Sequence, residues 1–200
     1  MTTDLPPSTG IQLIVGLGNP GSEYANTRHN AGYWFVDQLC EAMRGSLSIE
    51  AKFKGAVGTV QVADKLCRVL QPSTYMNRSG QSVSALAKFY KIAPHEILVV
   101  HDELDLPPGS ARLKMDGGHG GHNGLKDIIA HLGTKQFYRL RLGIGHPGNS
   151  DDVVDYVLHK PSLQDKTNIF NAISHAMSAM PDIITGKMDK AMKNLHTIAK

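Results

Sequence analysis

Short strand-like runs recur along the chain at residues 11–15 (Ile-Gln-Leu-Ile-Val), 66–70 (Leu-Cys-Arg-Val-Leu), 97–100 (Ile-Leu-Val-Val) and 139–142 (Arg-Leu-Arg-Leu). After each run the sequence turns abruptly polar or rich in glycine. Runs of this length bounded by turn residues read as strands, most of them buried in a sheet. Helical stripes lie between them. Phe35, Leu39 and Met43 recur every four residues over 32–43. Val83, Leu86, Ala87 and Tyr90 share one face of a helix over 81–91, and another helix is expected over 125–132. Two more strands, over 55–62 and 111–115, are expected, and Ala63-Asp64-Lys65 reads as the hairpin loop between the strands at 55–62 and 66–70. From Asp151 onward the pattern is helical. Val153, Val154, Val157 and Leu158 cluster first, then Ile169, Ile173, Met177, Met180 and Ile184 form a stripe, and 189–196 closes the chain. Strands alternating with helices predict an α/β protein: a three-layer single domain with a mixed, partly parallel central sheet flanked by helices.

The 200 residues suit one domain with a full-sized core. Residues 1–10, with Pro6, Pro7 and Gly10, read as a flexible tail, and 11–200 as the folded unit. No run approaches the ~18 apolar residues that span a bilayer, and the first ten residues lack the basic and apolar segments of a secretion signal. A cytoplasmic protein with no membrane partner is therefore expected. Cys40 falls on a helix and Cys67 in an apolar strand, which points to buried free thiols. The net charge of +3 permits an anionic partner without demanding one.

Three constellations could carry chemistry. Gly16-x-Gly18-x-x-Gly21 follows a strand, as a dinucleotide fingerprint would. That motif needs a helix starting within its glycines, and here no helical pattern begins until after Asn30, so the glycines read as turn residues. His119 and His122, with His101-Asp102-Glu103, could ligate a metal, but no His-Glu-x-x-His helix or paired-cysteine motif supports it. The bland alternative is that these histidines cap turns or bond backbone groups. The third constellation joins the polar junctions. Asn19, His29, Asn77, Asp102 and Asn123 all lie near strand-to-helix junctions, which a largely parallel sheet brings to one edge. A histidine beside an aspartate is the minimum for general-base catalysis, and asparagines can hold a peptide or an oxyanion without adding charge. Neither cysteine lies in such a junction and there is no Gly-x-Ser-x-Gly elbow, so water is the expected nucleophile.

Several segments together resemble the bacterial peptidyl-tRNA hydrolase family: Gly16-Leu17-Gly18-Asn19-Pro20-Gly21, Thr27-Arg28-His29-Asn30, Tyr75-Met76-Asn77-Arg78-Ser79-Gly80, His101-Asp102-Glu103-Leu104-Asp105, 117–127 and 139–148. The resemblance implies cleavage of the ester between a peptide and the 3′ end of tRNA. It makes His29 the catalytic base and Asp102 its orienting partner. Asn19, Tyr24, Met76, Asn77 and Asn123 would bind the substrate, with His122 assisting. Arg112, Lys114 and Arg141 would clamp the 5′-phosphate and acceptor stem of the tRNA; Arg112 stands where lysine is usual, and the charge is kept. The family implies no metal and no cofactor, and a monomer acting in translation. An esterase on tRNA, a metallohydrolase and a non-enzymatic RNA-binding module are thus the classes to be separated. Against the last stands the lack of an aromatic stacking platform, since Trp34 and Phe35 fall on a core helix.

Overall fold

The computed structural model describes residues 10–197. The expected tail lies outside them except for Gly10, which is buried rather than loose. A Cβ at this position would sit 2.0 Å from the Ile184 carbonyl oxygen. Seven strands form one sheet: β1 (Leu13–Gly16), β2 (Leu47–Glu50), β3 (Gly55–Val62), β4 (Lys65–Pro72), β5 (Ile97–Glu103), β6 (Ala111–Met115) and β7 (Tyr138–Gly143). Their spatial order is β2-β3-β4-β1-β5-β7-β6. The inner strands β4, β1, β5 and β7 run parallel, while β2, β3 and β6 are antiparallel to their neighbours. The expected mixed, partly parallel sheet is what forms.

Helices α1 (Ala31–Ala42), α5 (Leu163–Ile184) and α6 (Met188–His196) cover one face, and α2 (Ser79–Phe89) and α3 (Asn123–Leu132) the other. A short helix, α4 (Val153–Val157), precedes α5. The stripes read from the sequence supply both cores. Phe35 and Leu39 of α1 and Ile169, Ile173 and Ile184 of α5 are fully buried, each such side chain contributing about 2 kcal/mol of burial energy.

Four details depart from expectation. The hairpin between β3 and β4 is one residue tighter, because Val62 pairs with Lys65 and only Ala63 and Asp64 turn the chain. Both have positive φ, at 47° and 61°, as a two-residue turn that follows the strand twist requires. β2 was not expected; it is an edge strand whose Ile49 stays 74% exposed. Strand β5 continues through His101 and Asp102 to Glu103, beyond the apolar run 97–100 that marks it in the sequence. The segment from Asn19 to Asn30 is less of a surface loop than its polarity implies, since Thr27, Arg28, His29 and Asn30 are all buried and 28–30 form a 3₁₀ turn.

Candidate active site

The parallel inner strands deliver their carboxyl ends to one edge, and close packing at two glycines draws α1 onto it. A Cβ on Gly16 would lie 2.3 Å from the Gly32 carbonyl oxygen, and one on Gly32 would lie 2.4 Å from that of Val100. Only backbone without side chains fits there. The start of α1, and with it the 28–30 turn, is thereby pressed against the ends of β1 and β5. The glycines of the apparent dinucleotide fingerprint thus serve chain packing and a turn; Gly21, with φ of 107°, makes the turn.

The turn places the His29 ring beside Asp102 at the end of β5. Nδ1 of His29 lies 2.9 and 3.0 Å from the two carboxylate oxygens. Both side chains are buried, yet both line a cavity of about 520 Å³. With Nδ1–H donating to Asp102, Nε2 carries the lone pair. Burial alone would lower the His29 pKa. The charge of Asp102 and its hydrogen bond outweigh burial, so the net shift is upward from 6.5. For Asp102, burial would favour the neutral acid, but the adjacent His29 and His122 hold the carboxyl well below the usual carboxylate range.

His122 approaches the same carboxylate from the other side. It is the N-cap of α3, and its Nδ1 accepts from the amides of Gly124 (3.2 Å) and Leu125 (3.4 Å). Its proton therefore sits on Nε2, which donates to Asp102 Oδ1 at 3.0 Å. His29, Asp102 and His122 offer three ligand atoms within 4.8 Å of one another. A metal on Nε2 of His122 would force the proton onto Nδ1, donor against donor at the helix cap, so the set is built for hydrogen bonding. The other histidines do not join it. His119 Nδ1 accepts from Gly121 N in its own turn, and His101 donates from Nδ1 to the Asp102 carbonyl at 2.7 Å.

Asn19 is held by an interlocked pair. Its amide donates to Asn30 Oδ1 (2.9 Å), and Asn30 Nδ2 donates back to the Asn19 carbonyl (3.0 Å). Asn19 Oδ1 accepts from the Met76 amide at 2.7 Å, leaving the Nδ2 donors for the cavity. Asn77 and Asn123 are exposed and also line the cavity, with Met76 buried between them and the core. Asn30 was not singled out in the sequence, where nothing but its place beside His29 marks it. Tyr24 is not part of the lining; it packs edge-on against Tyr75, ring centroids 6.3 Å apart, and Tyr75 faces the cavity instead.

The cations lie apart from the cavity, on the β6–β7 edge. Arg112 pairs with Arg141 across the ladder and Lys114 with Arg139. Arg141 is engaged by Glu103, Nε to Oε2 at 2.8 Å. Arg139, which the sequence reading passed over, donates to the carbonyl oxygens of Gly117 and Gly118 and pins the glycine-rich loop. Both cysteines are free and buried. No helix among the described residues is long and apolar enough to cross a membrane.

A three-layer α/β domain that gathers a carboxylate-held imidazole and unengaged amides at the carboxyl edge of its parallel strands has the build of a hydrolase. Comparison with known proteins narrows the class. The model of the peptidyl-tRNA hydrolase family matches residues 13–200. A peptidyl-tRNA hydrolase of Neisseria gonorrhoeae is 55% identical over 190 residues, 95% of this chain and 99% of that protein. One of Methylobacillus flagellatus is 55% identical over 192 residues, covering 96% and 99%. The crystal structure of peptidyl-tRNA hydrolase from Acinetobacter baumannii superposes with a TM-score of 0.92 at 50% identity, covering 94% of this chain and 96% of that one. The chain belongs to the peptidyl-tRNA hydrolase family, and it is an enzyme.

Proposed function

We propose that this protein hydrolyses the ester joining a peptide, or another N-blocked aminoacyl group, to the 3′ end of tRNA, and so returns free tRNA to translation. The observation that carries the reading is the His29–Asp102 contact at 2.9 Å on the wall of an open cavity. His29 Nε2 takes a proton from water as the water oxygen attacks the ester carbonyl carbon. Asp102 favours the imidazolium that forms. When the tetrahedral intermediate collapses, the imidazolium returns the proton to the departing ribose oxygen. His122, its proton fixed on Nε2, steadies Asp102 from the second side. The amide donors of Asn19, Asn77 and Asn123 suit the peptide backbone and the developing oxyanion.

Arg112 and Lys114, with no ion pair among the described residues, are the cations best placed to meet the tRNA 5′-phosphate and acceptor stem; Arg141 would share its charge with Glu103. Tyr24 acts through Tyr75 in this reading. The fold over residues 11–200 works as a single catalytic domain, a monomer in the cytoplasm, without a metal or cofactor. Incubation with N-acetyl-aminoacyl-tRNA, with and without chelator, should release free tRNA equally in both arms. His29→Ala should lower kcat by about 10²–10⁴-fold with binding largely intact. Full turnover by that variant would remove His29 from the mechanism, and loss of activity to chelator would favour a metallohydrolase.

A further inference from the structure

The residue before His29 is an arginine of which only 8% is exposed. A buried guanidinium needs partners for its donors; Nε of Arg28 has none among the described residues, and the partners that its two terminal nitrogens find all lie in one place. Its Nη1 lies 3.2 Å from the Tyr156 carbonyl oxygen, 3.3 Å from that of His159 and 3.2 Å from that of Lys160. Its backbone amide donates to the same His159 oxygen at 3.1 Å. The guanidinium carbon lies 3.9 Å from the centre of the Tyr156 ring, and Nη2 is 3.8 Å from Asp165 Oδ2. Every one of these partners belongs to the end of α4, to the segment that follows it, or to the first turn of α5.

Helix α4 forms a wall of the cavity through Val153, Val154 and Val157, and Leu158 continues it. Five residues cannot hold a helix by themselves, and the core grips this one along one side only, where Val153 and Tyr156 pack partly buried against it. Val157 is buried, but Val154 is 66% and Leu158 37% exposed. Among the described residues, Arg28 and the Tyr156 hydroxyl, which donates to the Ile144 carbonyl at 2.7 Å, are the polar side-chain anchors of the wall to the rest of the domain. The same short segment therefore carries the imidazole at one position and the anchor of the apolar wall at the position before it. His29 is fixed separately, by Asp102 on β5.

We propose that Arg28 is a positioning residue: it fixes the α4 wall, and through it the affinity of the cleft for an apolar side chain on the amino acid esterified to tRNA. The inference rests on the ester-hydrolase reading above and adds a determinant of substrate preference to it. Removing the guanidinium frees the valine-lined wall while leaving the His29–Asp102 pair in place, so the loss falls on binding and depends on the side chain bound.

The test compares wild type, Arg28→Ala and Arg28→Lys on N-acetyl-leucyl-tRNA and N-acetyl-glycyl-tRNA, with amide hydrogen exchange followed in parallel. Arg28→Ala should raise KM for the leucyl substrate by roughly 5–50-fold, change kcat by less than about threefold, and affect the glycyl substrate much less. Lysine, which keeps the charge but loses the fork, should restore part of the affinity. Amides over 153–160 should exchange faster in the alanine variant while those of β5 stay protected. A fall in kcat at unchanged KM, an equal KM rise for both substrates, or unchanged exchange over 153–160 would each overturn the proposal. If the alanine variant does not fold, the lysine variant decides by the same comparison. A wild-type protein inert on both substrates would defeat the functional reading instead, and the exchange result would still report on the anchor.

Discussion

His122 holds Asp102 with one ring nitrogen while the other closes the first turn of α3. The 3.0 Å contact from Nε2 to the carboxylate depends on Nδ1 being occupied by two helix amides. One side chain thus joins a secondary-structure cap to the charge that orients the base. The two duties can be separated, because asparagine caps a helix about as well as any residue but cannot extend to Asp102.

Both variants, His122→Asn and His122→Ala, give up the hydrogen bond to Asp102 and should lose activity, but His122→Asn keeps the cap, so His122→Ala should be less stable than it by about 1 kcal/mol. Denaturant unfolding and kcat, measured on both variants, check the pair. Full activity in the asparagine variant would mean that the second hydrogen bond to Asp102 is dispensable.

The pH profile of kcat/KM should report His29. A base works when neutral, so the rate should rise with pH and level off above a midpoint higher than 6.5, the direction in which His29 is shifted. Asp102→Asn removes the charge that opposes burial. The midpoint should then move down, and the plateau should fall by about 10²–10⁴-fold. An unmoved midpoint would assign the titration to another group.

His101 predicts an acid sensitivity unrelated to catalysis. Burial, then the nearby His122, push its pKa down to about 3, although its bond to the Asp102 carbonyl works the other way. From about pH 6.5 down to that value the unfolded chain binds a proton that the folded one does not. Stability is therefore lost as pH falls, by about 1.4 kcal/mol per pH unit for this one site. His29 has the opposite sign: its contribution is fully present below 6.5 and fades as pH rises through its raised folded value. Urea midpoints at pH 6 and 4.5 should lie closer together in His101→Asn than in wild type. Parallel losses in the two proteins would clear His101.

For the phosphate clamp, Lys114→Ala or Arg112→Ala should raise KM for tRNA-linked substrates and reduce the slope of log affinity against log salt by about one. Arg141→Ala should change the slope less, since Glu103 already takes up its charge. Equal slopes for all three variants would show that the ion pair opens on binding.

Much of this was legible in the chain because it lay in periodicity and in junctions. The buried run Ile97–Val100 and the stripes of α1 and α5 set the layers, and polar residues after strands marked where His29, Asn19 and Asn77 would gather. Less legible was whatever depends on which charged groups are buried. Nothing in the sequence marks Arg28 or Arg139 as buried, yet both are sequestered and their terminal nitrogens are directed at backbone carbonyls. Strand β2 left no trace because an exposed edge strand needs no apolar alternation. Asp102 reads as lying just beyond its strand because a charged residue breaks an apolar run, although its backbone continues the ladder opposite Leu142.

The free side of β6 is covered from within the chain. His196 takes the Leu113 amide at 3.2 Å, and Met188, Ala191 and Leu195 bury α6 against the same margin. Shortening the protein before α6 would bare an unpaired rim on which a second molecule could add an eighth strand. The first symptom of such a truncation would then be aggregation, with the distant catalytic cleft still assembled in whatever remained monomeric.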